Sequence, residues 1–464
     1  MVNRCKKPSK DEKRKAPKFI GIYYFAFDCS IAVAVKMRYT DFILQREIRN
    51  MDYSQLKEYM QELSKFMTSP PVGDFKHPCI IVSQGNVYTM QLWDWGNWVN
   101  NIALRQRAME EGDTQYLYEC EKGSVLNFLD QQKPDGSIEI AIFGDPEKNY
   151  FKKLPHRNVH KPVLAQHVAF ILKYSPDVEW IRPHFSKLKA FNHFYEENAK
   201  HESGLFYFFD DFAIGVDNDP STFYRPDNSS ASIYINSLMY MELGAMAYIA
   251  QKLGESADAE SYRQKQEALR DAINAHCYDE KDGMYYSCDI NLRPIEPNVK
   301  LHSGMPRHYS TLIQRLGCWS SFLPLWAGIP TKEQAERIVK ENLLDEKAFW
   351  APYGVRSLSK YEKMYRIVGS SNPSSWHGGV WILSNYFIYK GLLRYGYKAE
   401  GEELAKKTVD LLARDYAETG AFHEYYHPET GEGVWKKGFS SWNLLAWNLL
   451  AYLEGRECIE EFTS

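Results

Sequence analysis

Helical segments that are apolar on every side alternate along this chain with segments that are apolar on one side only. Residues 229–253 carry apolar residues at helical spacing on both sides, whereas 257–277 has one apolar stripe and a charged reverse face. The same pairing recurs at 377–395 and 398–415. Because a helix that is apolar all round is buried on all sides, this alternation indicates two concentric layers of helices, as in an α/α barrel. A helical solenoid is the alternative, but the sequence lacks the fixed repeat period that solenoids have.

Hydrophobic periodicity predicts twelve helices, joined by loops rich in Gly, Pro and Asp. They span 54–67, 94–110, 114–131, 161–174, 180–198, 229–253, 257–277, 310–327, 331–343, 377–395, 398–415 and 438–453. Strands are scarce, and only 138–143 and 284–289 are predicted as short hairpin strands within loops. We expect Gly254 to end one helix and Ser256 to cap the next. The fold class is therefore all-α, with one barrel over residues 51–464.

Composition argues against several classes of protein. The chain has 464 residues and a formal net charge of −4, whereas a nucleic-acid-binding protein usually carries a basic face. No uninterrupted run of 18 apolar residues is present, so we expect no membrane-spanning helix. Aromatic residues make up 15% of the chain, which allows either a large core or ring faces that line a site.

The eight cysteines are scattered and none forms a Cys-x-x-Cys pair, which indicates neither a zinc site nor a redox motif. Such usage is typical of reduced thiols in a cytoplasmic protein. Residues 1–50 form an N-terminal leader of uncertain role. Its basic part at 6–18 and apolar part at 19–35 resemble a signal peptide, which leaves secretion open. Asp28 interrupts the apolar part, and Met37 is an alternative natural start.

The segment 91–98 places three tryptophans, Trp93, Trp95 and Trp98, around Asp94 at the start of a predicted helix. Sugars bind to such a combination, because their CH faces lie on aromatic rings while a carboxylate accepts hydrogen bonds from hydroxyl groups. A core cluster with Asp94 as the helix N-cap is the alternative. Both interpretations stay open on the residues alone.

A second segment, 210–228, concentrates carboxylates in a loop before a buried helix. The spacing of Asp217, Asp219 and Asp227 does not match a calcium-binding EF-hand loop. Catalytic acids, or simply caps and solvated turns, are the remaining interpretations.

A third segment, 418–431, contains His423-Glu424-x-x-His427, which has the form of a zinc-protease signature. That motif works only on a helix, where the two histidines share a face. Gly420 and Pro428 bracket it and favour a turn or an extended segment instead. Glu424 lies among aromatic residues, where a raised pKa would suit it to general-base catalysis. A solvated loop acid is the alternative.

A fourth segment, 375–386, has two glycines, Gly378 and Gly379, at the start of a predicted helix. Glycine there permits a close approach of the backbone to another group. Trp381 and Asn385 share one face of that helix. The alternative is tight helix packing without a binding role.

Together the four segments resemble the catalytic domain of glycoside hydrolase family 63 and its trehalase-like relatives, which include mannosylglycerate and glucosylglycerate hydrolases. The resemblance covers about Val87 to Leu453 with the motifs in the same order. The matching stretches are Trp93-Asp94, Gly215 to Pro220, Trp376 to Trp381 with Asn385-Tyr386, Glu424 to Gly431 and Gly438-Phe439-Ser440. The chain departs from the family in three places, because His377 stands where arginine is usual, Gly379 where proline is usual and Asp219 where serine is usual.

The resemblance implies an (α/α)6 barrel that hydrolyses an α-glycosidic bond with inversion and without a metal ion or other cofactor. It makes Asp217 the general acid and Glu424 the general base, and an inverting pair holds its carboxyl groups about 6.5–9.5 Å apart. We expect desolvation by aromatic residues, and repulsion from Asp219, to raise the pKa of Asp217. The residues expected to bind the sugar are Trp93, Asp94, Trp95, Asn218, Arg225, Trp376, His377, Gly378, Trp381 and Tyr425.

The expected activity is that of an exo-acting α-glycosidase on an α-glucoside or α-mannoside that is small and soluble. Two alternatives stay open. One is a sugar isomerase or epimerase on a similar barrel, in which His377, His423 and His427 move protons. The other is a carbohydrate-binding protein that has kept the cleft and lost the chemistry.

Overall fold

The computed structural model describes residues 53–83, 90–112, 114–149, 159–223, 225–292, 309–368 and 372–463. Residues from Tyr53 onward belong to one compact unit, and the leader predicted at 1–50 lies outside the described residues. In chain order the main helices are α1 (Ser54–Ser64), α2 (Asp94–Glu111), α3 (Gln115–Asp130), α4 (Leu164–Tyr174), α5 (Phe185–Asn198), α6 (Ile233–Leu253), α7 (Ser256–His276), α8 (Leu323–Ala327), α9 (Lys332–Arg337), α10 (Ile382–Arg394), α11 (Lys398–Thr419) and α12 (Ala446–Leu453).

The even-numbered helices form an inner ring and the odd-numbered helices an outer one. α6 is buried along nearly its whole length, whereas α7 buries a single stripe. Neighbouring inner helices pack together from α4 to α10, α10 packs on the turn that leads into α12, and α12 packs on α2. This is the predicted (α/α)6 barrel, and the alternation of apolar and amphipathic helices follows from it. Within the described ranges no helix is both long and apolar enough to cross a bilayer.

The strands are two or three residues long and pair in antiparallel fashion within the loops. They are β1 (Thr68–Ser69), β2 (Cys79–Ile80), β3 (Gln91–Trp93), β4 (Ala141–Phe143), β5 (Ser230–Ala231), β6 (Tyr278–Asp279), β7 (Met284–Tyr285), β8 (Cys288–Asp289), β9 (Leu312–Ile313), β10 (Trp350–Ala351) and β11 (Gly354–Val355). The predicted strand regions therefore contain β4, β7 and β8. β7 forms a hairpin with β6, but β4 pairs with the distant β3.

The helix predicted at 310–327 is wrong over most of its length. Its first part is β9, which pairs with β8, and a 3-10 turn follows at Trp319–Phe322. Only α8 is α-helical, with Pro324 in its first turn, where proline is tolerated. The segment has apolar residues at helical spacing, which is why a helix is expected. The first of them, Leu312 and Ile313, instead pair with β8.

Several helices begin later than predicted, because the residues before them pair elsewhere. α6 begins at Ile233 since β5 precedes it, and the Ser232 hydroxyl caps it by accepting from the Tyr234 N–H at 3.2 Å. Gly254 ends α6 in the left-handed conformation, as predicted, with φ of 84°. Ser256 does not cap α7; it is the first helical residue, and no side chain caps that end.

Candidate active site

A cavity of about 350 Å³ opens where the inner helices α2, α4, α6 and α10 begin. Its charged and polar walls are formed by Asp94, Lys161, Asp217, Asn372, Ser374, Glu424 and Lys436. Its aromatic walls are formed by Trp93, Trp95, Phe212, Tyr234, Trp376, Trp381, Trp435, Phe439 and Trp442. A site with ring faces and a few convergent charges is suited to a polar ligand that also has apolar faces, as sugars do.

Pairing of β3 with β4 positions the first tryptophan segment. Trp93 ends β3, and α2 begins at once with Asp94, whose N–H donates to Ile140 O at 3.1 Å. The buried Asp94 carboxylate accepts from the Trp95 N–H at 2.5 Å. Trp93, Asp94 and Trp95 line the cavity, whereas Trp98 packs in the core between the inner helices. Asp94 is not the N-cap predicted by the core interpretation, because it is the first helical residue and Trp93 occupies the N-cap position.

Two caps hold the loop that carries Asp217. Asp210 accepts from the Ala213 N–H at 2.7 Å and caps the helical turn Asp211–Ile214, which Gly215 ends with φ of 63°. On the other side, Asp219 accepts from the N–H and the hydroxyl of Ser221. Asp217 is left accessible at the cavity wall.

A hairpin-like loop positions Glu424. Its N–H donates to Trp435 O at 2.8 Å, and the Val434 N–H donates to Tyr425 O at 2.9 Å. This pairing brings Lys436 close to Glu424, with Nζ 4.0 Å from Oε2. Glu424 itself is buried. The predicted turn or extended conformation is confirmed.

The residues 372–381 join the loops of the two acids. The Trp376 N–H donates to Asp217 O at 3.2 Å, and Val380 exchanges two backbone hydrogen bonds with Tyr426. The Ser374 hydroxyl donates to Glu424 Oε1 at 3.1 Å. Residues 372–381 therefore connect the two loops. As a result Asp217 and Glu424, which are distant in sequence, line the same cavity.

Both acids have raised pKa values. Burial raises the pKa of Glu424 to about 7, Lys436 opposes the shift, and the charge of Asp217 adds to it. The surrounding protein also raises the pKa of Asp217 by desolvation, although solvent reaches part of the residue; hydrogen bonds from Ser374 and Asn372 oppose this. The expected repulsion from Asp219 is not among the main causes. The charge of Asp217 thus favours the protonated form of Glu424 in the cavity that the two acids share.

Stacked aromatic rings form one wall. Trp376 and Trp381 stack with ring centroids 4.0 Å apart and planes 7° apart, and Tyr425 stacks behind Trp381 at 4.7 Å. The Tyr425 hydroxyl donates to Pro373 O at 2.6 Å, which ties the stack to the connecting segment. Tyr425 thus supports the wall from behind and does not line the cavity.

Four further residues of the expected sugar site lie outside the cavity lining. Arg225 forms an ion pair with Asp289 at 2.5 Å. Asn218 is buried in the turn after Asp217 with φ of 60°. His377 packs against Phe223 and Gly378 against Tyr365. Direct sugar contact by these four residues has no support in the geometry.

Sequence reasoning missed Lys161, Ser374, Lys436, Trp435 and Trp442, all of which line the cavity. Lys161 precedes a proline before α4 and carries no local motif. Trp435 and Trp442 flank the Gly-Phe-Ser stretch at 438–440, so this motif could have pointed to both tryptophans. No pattern in the sequence singled out either lysine.

The histidines of the zinc-protease signature have other partners. His423 Nδ1 lies 3.0 Å from both oxygens of Asp415, and His427 Nδ1 accepts from the N–H groups of Glu429 and Thr430 at 3.2 Å. The segment is not helical, so the two rings do not share a helix face. In the part of the chain that the structure describes, no cluster of three or more His, Cys, Asp or Glu is arranged to hold a metal ion.

Comparison with known proteins gives relatives that are named as glycoside hydrolases of more than one specificity. "Mannosylglycerate hydrolase MGH1" of Selaginella moellendorffii is 24% identical over 422 residues, which cover 76% of this chain and 79% of that protein. The "Probable mannosyl-oligosaccharide glucosidase" of Schizosaccharomyces pombe is 27% identical over 253 residues, 52% of this chain but only 28% of the yeast protein.

The solved structures share the fold. The GH63 mannosylglycerate hydrolase of Thermus thermophilus, solved in complex with glucose, superposes with a TM-score of 0.60 at 20% identity, over 85% of this chain and 98% of that one. Neutral trehalase Nth1 of Saccharomyces cerevisiae superposes with a TM-score of 0.57 at 16% identity, over 81% and 74% of the two chains.

Residues 91–442 match the sequence family described as "Mannosylglycerate hydrolase MGH1-like glycoside hydrolase domain". The match includes every segment that contributes a charged group to the cavity. The chain belongs to this family of glycoside hydrolases.

Proposed function

We propose that this protein is an inverting, exo-acting α-glycosidase for an α-glucoside or α-mannoside of small size. The observation that carries the proposal is the placement of Asp217 and Glu424 on one cavity, with Ser374 between them and with both pKa values raised. A carboxyl pair that holds one proton supplies an acid and a base at the same time, which inverting hydrolysis requires.

In this mechanism Asp217 protonates the departing glycosidic oxygen. Glu424 accepts a proton from a water molecule that attacks the anomeric carbon from the opposite face. Glu424 Oε2 has no hydrogen-bond partner among the described residues, so one oxygen is free to accept that proton. The pKa of about 7 makes Glu424 a stronger base than an ordinary carboxylate.

The cavity supports a small substrate. Its volume of about 350 Å³ is near the lower end of the range of small-ligand sites, about 300–1,000 Å³. Trp376, Trp381 and Asp94 line the same cavity, and because Trp381 is stacked between Trp376 and Tyr425, only its ring edge is available to a sugar. Glycosylglycerates belong among the candidate substrates because relatives are named as mannosylglycerate hydrolases.

The isomerase alternative finds less support. It relied on His377, His423 and His427, and none of these three histidines is among the described residues that line the cavity. A protein that only binds carbohydrate would not need two acids with raised pKa values facing one site.

The deciding experiment is proton NMR of the products formed from α-glucosides, α-mannosides and glycosylglycerates. Release of free sugar that first appears as the β-anomer supports an inverting α-glycosidase. The α-anomer as first product contradicts inversion, and an unchanged substrate mass with a rearranged sugar supports the isomerase. Asp217→Asn with full activity would contradict the acid assignment.

We also propose a cytoplasmic location. The support is the state of the cysteines, because the six in the described residues are all free thiols. Fractionation of cells that produce the full chain tests the location, and recovery of the protein in a secreted fraction contradicts it.

A further inference from the structure

The cavity contains a buried lysine to which the proposed reaction gives no role. Lys161 Nζ lies 3.2 Å from both carboxylate oxygens of Asp94, and the side chains of both residues are almost fully buried. The Lys161 N–H also donates to Asp94 Oδ2 at 2.7 Å. The Trp95 N–H donates to Oδ1, so the Asp94 carboxylate accepts from the backbone of Trp95 and from both the backbone and the side chain of Lys161.

A buried ion pair is costly unless its geometry is good and its remaining polar atoms are satisfied. Asp94 meets this condition, whereas Lys161 has three N–H donors and Asp94 offers acceptors for two of them. Both residues line the cavity. The lysine is therefore positioned to donate a hydrogen bond to a ligand while its charge stays compensated.

We propose that Lys161 is a specificity-determining residue, which donates a hydrogen bond to a hydroxyl of the terminal sugar and holds Asp94 in place to accept from an adjacent hydroxyl. This inference rests on the proposed function, since the ligand is the terminal sugar of the glycoside. The ion pair presents one donor and one acceptor side by side, and two neighbouring free hydroxyl groups complement it. A sugar blocked at either hydroxyl does not fit.

The backbone of the loop that carries Asp217 packs closely against Lys161 at Gly215. A Cβ atom at Gly215 would lie 2.6 Å from Lys161 Nζ and 3.1 Å from Cε. Glycine at this position lets the ammonium group pass beside the loop, two residues before Asp217. The positive charge of Lys161 is among the causes that lower the pKa of Asp217.

The charged groups around Asp217 are Lys161, Lys436, Glu424 and Asp211. His160, beside Lys161, is neutral in the working range because burial lowers its pKa to about 4. Removal of the Lys161 charge leaves Lys436 as the remaining cation, so the pKa of Asp217 rises. The alkaline limb of the pH profile, which reports the loss of the proton from the general acid, then moves to higher pH.

The test compares Lys161→Met and Lys161→Gln with a control, Lys65→Met, which removes an exposed lysine paired with Glu62. For Lys161→Met we expect KM to rise about tenfold or more, as for the loss of a hydrogen bond to a charged group, together with an alkaline limb at higher pH. Lys161→Gln keeps a hydrogen-bond donor but no charge. Its KM should therefore lie between those of the wild type and Lys161→Met, while its alkaline limb stays at the higher pH. Unchanged KM and limb position in both variants overturn the inference, as does a loss of thermal stability with neither parameter altered.

A second measurement does not depend on folding of a lysine variant. A crystal structure of Glu424→Gln with bound glucose or mannose is expected to show a sugar hydroxyl within about 3.2 Å of Lys161 Nζ. A sugar bound in the cavity without that contact overturns the inference. If the wild-type protein cleaves no α-glycoside but the contact is present, the proposed function fails and the assignment of Lys161 to sugar binding stands.

Discussion

The Ser374 hydroxyl donates a hydrogen bond to Glu424 Oε1 at 3.1 Å. The same hydroxyl can donate to Asp217 instead, and these alternative hydrogen bonds lower the pKa of both carboxyl groups. One serine thus opposes part of the shift that burial imposes on the two acids. Its substitution changes both limbs of the pH profile at once.

For Ser374→Ala we expect the whole bell-shaped profile of kcat to move to higher pH, because both pKa values rise when the hydrogen bonds are lost. Turnover at the optimum should fall roughly tenfold as Glu424 loses a neighbour that orients it. Steady-state kinetics across the acid and alkaline limbs measure both shifts. Ser237→Ala is the matched control, since Ser237 is also buried but donates within α6 to Ile233 O. A profile that narrows or keeps its position contradicts the role of Ser374.

Glu424→Gln should stabilise the protein at mildly alkaline pH while it abolishes turnover. The folded-state pKa of about 7 lies above the ordinary value of 4.5, so the native state binds the proton more tightly. The free energy of unfolding therefore falls as pH rises from about 4.5 to 7, by about 3 kcal/mol. Glu424→Gln has no carboxyl group to titrate at this position, so its free energy of unfolding does not fall for this reason.

Thermal unfolding at about pH 5 and about pH 8, on either side of the native pKa, checks this expectation. The gain from Glu424→Gln should appear at the higher pH and be small at the lower one. Glu432→Gln, at an exposed position of the same loop, should show no such difference. Equal melting temperatures of wild type and Glu424→Gln at the higher pH would contradict the raised pKa.

Glu242→Ala should destabilise the barrel strongly. The Glu242 carboxyl on α6 accepts from the N–H groups of Ala165 and Gln166 at 2.8 and 3.1 Å, at the start of the neighbouring inner helix α4. These N–H groups have no partner within α4, so their burial without an acceptor costs about 1–3 kcal/mol each. Chemical denaturation measures the loss. Substitution of Glu260, exposed on the outer helix α7, is the control and should change stability little.

Gly379→Ala should damage the aromatic wall. A Cβ atom at this position would lie 2.6 Å from Tyr425 Cδ2, and Tyr425 supports Trp381 by stacking. We expect a lower melting temperature and a higher KM. In a Tyr425→Leu background the smaller side chain relieves the contact, so the added effect of Gly379→Ala should shrink. Full additivity of the two substitutions would contradict a steric cause.

The resemblance to family 63 placed proline at position 379 and arginine at position 377 in other members. In this chain, glycine at 379 leaves room for the Tyr425 ring, and the buried His377 packs against Phe223. The departure at 379 therefore concerns the packing of the wall, and neither His377 nor Gly379 lines the cavity. They do not alter the pair of acids.

The sequence determined the barrel and the family to which the chain belongs. Helical periodicity is a local property, so apolar residues around 229–253 and along one stripe of 257–277 predicted an inner and an outer helix before any packing was known. The order of short motifs pointed to Asp217 and Glu424, and both lie at the cavity. Local pattern failed at 310–327, because the pairing of β9 with β8 depends on residues elsewhere in the chain.

Only the tertiary structure decided which polar residues meet in the cavity. Lys161 and Ser374 have no motif around them, and their importance arises from contacts with Asp94 and Glu424 across the fold. Arg225, by contrast, belongs to a promising motif but pairs with Asp289 away from the cavity. The physical reason is that an ion pair or hydrogen bond depends on distances of a few ångströms between side chains, and these distances are set by the packing of the inner helices and their loops.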